Sequence, residues 1–587
     1  MEKIEDSEKR VAKILGLKDG DRFSEDVWLS KKGYMQLTSG IRLRPEYFGG
    51  LVYDTRNGNT LEVDKGAFQF LNLIKNTPQK ISSVINCLVE RDIIKEDNNS
   101  AEETLRNLFS LKMIEMVDGI PSTSVVMPLA SNEVEHRQWL SAPETVHWAV
   151  TYHCDKNCFD CYVARLPFLK NELNSYEALK LIDKIAGWNV FQLAIGGGEP
   201  FNRKDLPQLV QHAADQGLSA HLTTGKLNIA PEILESVLPF IKNLQIGIRN
   251  AGLLGDESRK YTQQLQNFFI NARRWHIKPG ANLILTNFAI KRLEYLITTL
   301  INIGFEHIIL LRYKPPQTIE RWRAEHPELH QMKELYGVID KIIRKNPDVN
   351  IRLDCAVSFV QRHLSKEIAT QYGIKGCVAA DRILALAPDG SAYPCSQLVH
   401  PKCYAGNLLE SEPQTVWDKS KVLRKYRFFH TEKTFCHSWC GVCLVKTSCG
   451  GCRIFAMDGL GGDPGCPEPL LPSLRQIGKV GRRLDLPKYL KKHRIISVGE
   501  YMKRYGVGQK TAIKELKDSP QTTNTAGRPV RKKTDAYEYV EDDIIRDIQD
   551  SIGYTSGGVP FASYEEISRA IEDSTYSRNY PQWIKQG

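Results

Sequence analysis

Three cysteines stand close together in the middle of the chain, in the run Cys154-Asp-Lys-Asn-Cys158-Phe-Asp-Cys161. The spacing is C-x3-C-x2-C, and the run follows directly on TVHWAVTY, an apolar stretch that reads as a strand. Three thiolates converging from one loop can hold three irons of a [4Fe–4S] cluster and leave the fourth iron without a protein ligand. Zinc is the other reading, with His153 as the fourth donor, although its closed structural sites more often use C-x2-C pairs. A second group follows: Cys377-x12-Gly390-x4-Cys395, then Cys440-x2-Cys443-x5-Cys449-x2-Cys452, then Cys466. Its seven thiolates exceed what one cluster uses. Zinc fits that spacing too, but the preceding run makes iron the economical choice.

About 35 residues past the first group, LAIGGGEP places Gly196, Gly197, Gly198, Glu199 and Pro200 at the carboxyl end of the next strand. Active sites of parallel (β/α) barrels gather at that end. Glycines there let the backbone approach a ligand closely, and a carboxylate can accept hydrogen bonds from an ammonium group. The cysteine run, the aromatic Tyr162 behind it and this strand end together resemble the defining motif of the radical S-adenosylmethionine (SAM) superfamily. The resemblance implies a [4Fe–4S] cluster on Cys154, Cys158 and Cys161, with SAM chelated by the open iron. It also implies SAM contacts from Tyr162, Gly197, Gly198, Glu199, Pro200 and Thr224. One electron delivered to that cluster would cleave SAM to methionine and a 5′-deoxyadenosyl radical. Thr223-Thr224-Gly225 falls where the family often has Thr-Asn-Gly, whereas Gly247-Ile-Arg249-Asn250 replaces a more usual Ser-Leu-Asp. Arg312 in LRYKPP reads either as a solvated charge at a strand end or as a substrate or SAM contact.

The second group, with the landmarks ALAPDGSAYPC, AGNLLE and VWDKS, resembles the SPASM domain, a C-terminal extension of peptide-modifying radical SAM enzymes. By that resemblance, Cys377, Cys395 and Cys452 serve a first auxiliary iron–sulfur cluster, and Cys440, Cys443, Cys449 and Cys466 a second. The fourth ligand of the first is Cys355, Cys403 or Cys436, or the iron is open. The family's run usually ends with x3, not the x2 found here. Sulfatase maturases carry a carboxylate directly after the residue matching Cys395, where this chain has Ser396. Cys87 reads as a small buried apolar residue.

Length and composition set the frame for these sites. A chain of 587 residues is expected to form several domains. It is 42% hydrophobic and 25% charged, as in soluble globular proteins, with no apolar run long enough to span a bilayer. The charged N-terminus lacks a signal-peptide core, so a cytoplasmic location is expected. Thiols stay reduced there, which favours metal ligation over disulfides for the 14 cysteines. The net charge of +10 is uneven: residues 471–533 hold 17 Lys and Arg against 4 Asp and Glu, a balance of +13, leaving −3 for the rest.

The expected fold class is α/β: a partial (β/α) radical SAM barrel at 144–346, built from alternating strand-like and helical runs. A Cys-rich SPASM extension (347–470) follows, in which metal clusters replace a missing apolar core. Ahead of the barrel lie an extension (1–39), a small module (40–120) and a linker (121–143). In the module, GGLVYDTRNGNTLEV reads as two strands about Asn57-Gly58, Asp64 as a helix N-cap, and QKISSVINCLVERD and AEETLRNLFSLKMIEMV as further helices. RLRPEYFGGLVYD, LEVDKGAFQFL and LFSLKMIEMV resemble the winged-helix peptide-binding domain that accompanies the pyrroloquinoline-quinone peptide maturase. An exposed strand edge there would take a leader peptide as an added strand. Residues 471–535 read as a basic helix-turn-helix, ISVGEYMKRYGVGQKTAIKELKD, followed by a wing-like GRPVRKK, with a tail at 536–587. Nucleic acid is a candidate partner for that region, and a solvated basic face is the plainer reading.

Together these readings imply a radical SAM maturase acting on a ribosomally made precursor peptide, giving a crosslink or an oxidation. A low-potential donor such as flavodoxin or ferredoxin would feed it, and the auxiliary clusters would take the electron from the substrate radical. No particular catalytic side chain is singled out, and no membrane role is expected. An iron–sulfur redox sensor that binds DNA is the alternative outside enzymes; a radical SAM enzyme acting on a small molecule is the alternative within them.

Overall fold

Strand β1 (Tyr34–Leu37) opens the described part of the chain in this computed structural model. The structure describes residues 34–93, 107–117, 137–156, 158, 161, 163, 171–254, 258–314, 325–363, 376–436, 438–456, 461–463, 465–467, 482, 485–486, 489–490, 493, 495–517, 522–524 and 536–539. Two units are separable: residues 1–143 with 186–191, and the remainder.

In the first unit, β2 (Ile41–Glu46), β3 (Gly49–Asp54) and β4 (Asn59–Asp64) form an antiparallel meander, with Asn57-Gly58 in the turn between the last two. Asp64 caps the helix Lys65–Leu73 by accepting from the Ala67 amide at 2.8 Å. β5 (Gln79–Lys80) and β6 (Ile114–Val117) flank β1 in a second sheet, and a helix at Ile81–Glu90 lies between them in sequence. Two expectations change here. β1 falls inside the stretch read as an extension, and IEMV, read as the end of a helix, pairs with β1 from Leu37↔Ile114 to Tyr34↔Val117. Pairing across the sheet overrides the local helical spacing. Met35, Val52, Phe68, Leu71, Val84, Leu88 and Ile114 are buried in one core, with Cys87 packed against it as a small apolar residue. The linker's last residues are tied down: buried Arg44 donates to the Ala142 and Pro143 carbonyls at 2.7 and 2.9 Å, and to Glu46 at 2.7 Å. Residues 121–136 of that linker lie outside the described residues.

The second unit is built on one ten-stranded sheet. β7 (Thr145–Thr151), β8 (Gln192–Gly197), β9 (Ser219–Thr224), β10 (Ile241–Gly247), β11 (Gly280–Leu285), β12 (His307–Arg312) and β13 (Asn350–Leu353) are successive parallel neighbours. Helices such as Ser175–Gly187, Leu206–Asp215, Ser258–Arg273 and Leu293–Ile303 connect them. On the other edge β14 (Ile383–Leu386) pairs in parallel with β7, and β15 (Ser391–Tyr393) and β16 (Gly406–Asn407) continue antiparallel. The sheet therefore does not stop at Asn346, where the repeating pattern fades: β13 lengthens one edge, and the Cys-rich segment supplies three strands to the other. Alternation places Val146, Trp148, Val150, Leu193, Ile195 and Leu222 on one buried face, each at most 1% exposed.

His147 and His221 stand on the opposite face, in register through Ala194. Burial pushes both imidazoles down to about 4, and for His221 the neighbouring His147 adds to the effect. Because the folded values lie below the unfolded one of about 6.5, the unfolded chain takes up protons first on acidification. Their contribution to stability is complete above that value and is lost as pH falls toward 4. Thermal unfolding of wild type is expected to lose on the order of 2 kcal/mol per histidine between pH 7 and pH 5, beyond what a His147→Asn/His221→Asn variant loses. Parallel pH profiles for the two proteins would contradict this.

Farther on, helical residues at 482, 485–486, 489–490 and 493 precede β17 (Ile495–Ser497) and two helices, Val498–Tyr505 and Gln509–Lys517. Gly506 ends the first helix at φ 65°. β18 (Thr522–Asn524) and β19 (Ala536–Tyr539) complete a sheet of order β17-β19-β18. Leu486, Leu490, Ile496, Tyr501, Tyr505, Ala512 and Leu516 form its separate core. β19 lies in the stretch read as tail; the GRPVRKK wing and everything past Tyr539 lie outside the described residues. Among the described residues no helix is long and apolar enough to cross a membrane.

Candidate functional site: two cysteine centres on one sheet

The first cysteine group leaves the carboxyl end of β7, where the backbone turns through Tyr152 and His153. The Glu172 carboxylate accepts from the Tyr152 amide at 2.7 Å, and Thr151 Oγ1 accepts from the His153 amide at 3.0 Å. Cys154 is exposed while Cys158 and Cys161 are half-buried, and the Lys156 amide already donates to Cys154 Sγ at 3.4 Å. Tyr162 lies outside the described residues.

The glycine-rich end of β8 packs directly onto this loop. The Gly198 amide donates to the Thr151 carbonyl at 2.7 Å, and the Glu199 amide to the His153 carbonyl at 3.0 Å. A Cβ on Gly198 would stand 2.3 Å from the His153 oxygen, and one on Gly197, whose φ is +110°, 2.4 Å from the Thr151 oxygen. These glycines are needed because two backbones touch. Glu199 is 1% exposed, and its carboxylate accepts from the Thr224 hydroxyl at 2.7 Å, the Gly225 amide at 3.0 Å and the Phe201 amide at 3.2 Å. It thereby ties the ends of β8 and β9 together, with Pro200 starting a tight turn behind it. Lys156 reaches across to the Gly225 carbonyl. Cys154, Gly197, Gly198, Glu199, Pro200 and Thr224 thus belong to one patch at the strand ends, and the Cys161 amide donates to the Cys158 carbonyl at 3.3 Å farther along the loop.

The second group gathers beyond the same sheet. Cys440, Cys443, Cys449 and Cys466 line one pocket, together with Cys355, Gly450, Gly451 and Asp463. Cys377, Cys395 and Cys452 form the neighbouring set, in which Cys377 lies within electrostatic reach of both others. Of the three candidates for a fourth thiol, Cys355 stands in reach of Cys377 and Cys452. Cys403 is instead buried 3.3 Å from the Tyr426 hydroxyl, and Cys436 is exposed and donates to the His430 carbonyl at 3.3 Å. Burial pushes the Cys395 and Cys449 thiols up to about 11, and Cys440, Cys452 and Cys355 upward as well. Such buried thiols become stable thiolates only against a cation, so the donor set suits iron–sulfur clusters. Among the described residues no three His, Cys, Asp or Glu side chains close on a single metal ion. Gly450 and Gly451 both take positive φ, 66° and 72°, and a Cβ on Gly451 would meet Asp463 Cβ at 2.6 Å. That tight double-glycine turn occupies the two positions of the shortened x2 spacing.

Three charged residues that spacing alone does not single out hold this centre. Asp463, 1% exposed, accepts from the Cys452 amide at 2.9 Å and the Gly465 amide at 2.9 Å, while its own amide donates to Cys440 Sγ at 3.3 Å. Its carboxylate pairs with Arg312 at 2.6 and 3.1 Å. Arg312 at the end of β12 is therefore no solvated charge: it is 6% exposed, donates to the Ala356 carbonyl at 3.1 Å and stacks on Phe455 at 3.8 Å. Arg453 is 1% exposed, lies over the Phe429 ring at 4.3 Å and donates to the Gly461 carbonyl at 2.9 Å. Partners so far apart in sequence leave no local signal; only the turn-forming GGDPGC context marks Asp463.

Residues 377–444 match SPASM, an iron–sulfur cluster-binding domain. The mycofactocin maturase of Mycobacterium tuberculosis (strain ATCC 25618 / H37Rv) is 26% identical over 373 residues, covering 59% of this chain and 91% of the relative. The PqqA peptide cyclase of Xanthomonas euvesicatoria pv. vesicatoria is 22% identical over 349 residues, covering 56% and 87%. The fold is similar to that of Streptococcus suis SuiB, solved with its precursor peptide SuiA, at a TM-score of 0.55 and 18% identity. That likeness covers 76% of this chain and 100% of SuiB. The chain is accordingly a radical SAM enzyme. Its cofactors are SAM, a [4Fe–4S] cluster and the iron–sulfur clusters of a SPASM domain.

Proposed function

We propose that this enzyme is a maturase that modifies a ribosomally made precursor peptide, forming a crosslink or an oxidised residue. The observation that carries the reading is the packing of Gly197–Pro200 against the Cys154–Cys161 loop, on the same sheet that carries a SPASM cysteine centre. Cys154, Cys158 and Cys161 would hold the [4Fe–4S] cluster. Cys355, Cys377, Cys395 and Cys452 would hold one auxiliary cluster, and Cys440, Cys443, Cys449 and Cys466 the other. SAM bound at the first cluster supplies, on one-electron cleavage, a 5′-deoxyadenosyl radical able to remove hydrogen from a peptide carbon. Gly197 and Gly198 keep the backbone low enough for a cofactor to sit across the strand ends. Glu199 holds β8 and β9 at a fixed separation beneath it. Tyr162 and Pro200 would wall the SAM site, and a flavodoxin or ferredoxin would deliver the electron.

The peptide reading draws on the precursor peptide bound by SuiB and the peptide named for the Xanthomonas cyclase. The first unit suits it as a winged-helix-type peptide binder, because β2 and β4 are the edges of their sheet among the described residues, where an extended leader can pair. The test is reaction of the anaerobically reconstituted chain with SAM, dithionite and short peptides encoded beside its gene. Deuterium at the modified carbon is expected to appear in 5′-deoxyadenosine, and the peptide to lose two hydrogens in mass. SAM turnover with transfer only from a small metabolite would overturn the peptide reading and leave the radical SAM assignment standing.

A further inference from the structure

We infer that the C-terminal module of this enzyme binds duplex DNA, with the helix Gln509–Lys517 as the element that enters the major groove. The order of elements from residue 482 onward is helix, strand, helix, helix, strand, strand, and the first strand pairs with the third. This is the arrangement of a winged helix, in which the second helix of the helix-turn-helix is the reader. The turn is built for that geometry: Ser497 and Glu500 form a capping box on the first helix, and Gly506 ends it in the left-handed conformation.

The charge on the reading helix is free to act outward. Lys510, Lys514 and Lys517 are exposed and, at spacings of four and three, share one face, with Lys503 exposed on the preceding helix. None of the four has an ion-pair partner among the described residues. Three of the segment's four acids are engaged inside the module, and the fourth, Asp518, lies outside the described residues. Glu515 is 4% exposed and pairs with Arg482 at 2.6 Å while accepting from the Tyr501 hydroxyl at 2.8 Å. Asp485 takes Arg504 at 2.8 Å and the Tyr505 hydroxyl at 2.7 Å. Glu500 is turned back onto Ser497 at 2.9 Å. Folding therefore pairs Asp485 and Glu515 with arginines and leaves the lysines outward, in a segment of charge +13 on a chain whose remainder carries −3.

The occupant follows from shape and composition. The exposed positions of the helix are Gln509, Lys510, Thr511, Lys514 and Lys517, with none of the large apolar or aromatic side chains that fill the core of a protein–protein interface. Lysines suit phosphates, and Gln509 and Thr511 beside them can bond base edges. A B-form major groove admits an α-helix, whereas the deep, narrow groove of duplex RNA does not. Duplex DNA is the polyanion that fits.

The test uses the full reconstituted chain and a fluorescent mixed-sequence duplex of about three helical turns, titrated between about 50 and 200 mM salt. Affinity is expected to fall steeply with salt. A Lys510→Ala/Lys514→Ala/Lys517→Ala variant should bind at least about tenfold more weakly, with the slope of log K against log salt reduced by about two to three. SAM cleavage by the variant should be unchanged, and its melting profile should match wild type, which shows that the separately cored module is still folded. Three results would each overturn the inference: no duplex binding at the lowest salt, equal binding by wild type and variant, or equal or tighter binding of single-stranded RNA or a polyglutamate of matched charge.

Discussion

Replacing Cys158 by alanine is expected to abolish SAM cleavage while leaving the auxiliary iron in place. Cys158 is the middle thiol of a loop whose entry is pinned to the end of β8, where the Gly198 and Glu199 amides donate to the Thr151 and His153 carbonyls. Removing a partner that only orients a metal ligand typically costs 10–100-fold in affinity or activity. Loss of one of only three ligands should exceed that range, giving a fall of more than about 100-fold in 5′-deoxyadenosine formed with dithionite. Iron content should drop by about four atoms per chain, the content of one [4Fe–4S] cluster. Chromatography of the nucleoside and a colorimetric iron assay measure both. Wild-type cleavage by the variant would mean that a different thiol set activates SAM.

The second large effect is expected at Asp463. An alanine there leaves the Arg312 guanidinium buried without its counter-charge and strips the acceptor from the Cys452 and Gly465 amides. Breaking a buried pair in this way costs about 3–5 kcal/mol, far more than losing a surface pair. The melting step of the sheet-containing unit should fall on the order of 10 °C. Auxiliary iron should be lost, because Asp463 touches the backbone of one cysteine set and the sulfur of the other. The Asp463→Asn substitution keeps the side chain's shape and the backbone bond to Cys440 Sγ. That variant should retain more iron, with a shifted electron paramagnetic resonance signature. Scanning calorimetry and iron counting of both variants check the order; equal stability in Asp463→Ala and wild type would refute it.

The parts of this architecture visible in sequence are those whose chemistry is local. The C-x3-C-x2-C run and the glycines of β8 are each short, and their meaning depends on neighbours a few residues away. The strand–helix alternation is equally plain, because periods of two and 3.6 residues are written along each element. What stays hidden depends on distance. Arg312 and Asp463 are 151 residues apart, and nothing in LRYKPP distinguishes a solvated arginine from one buried against Phe455. Spacing cannot rank Cys355 against Cys403 and Cys436, because which of them comes within reach of Cys377 and Cys452 depends on the fold, and Cys355 stands two residues past the end of β13. IEMV carries apolar residues compatible with either period, and its pairing with β1 decides the matter.

The parallel pairing of β14 with β7, from Ile383↔Thr145 to Leu386↔Trp148, has a further consequence. The strand that leads into the Cys154–Cys161 loop and the strand between Cys377 and Cys395 are joined by main-chain bonds in one sheet. β14 cannot move away from β7 without breaking that ladder. The segment that carries Cys377 and Cys395 is thereby held in register with the strand that leads into Cys154. For engineering, the SPASM segment is not an interchangeable cassette: a graft that begins at Cys377 must carry a strand able to dock on β7, or the transplanted clusters will sit at the wrong range.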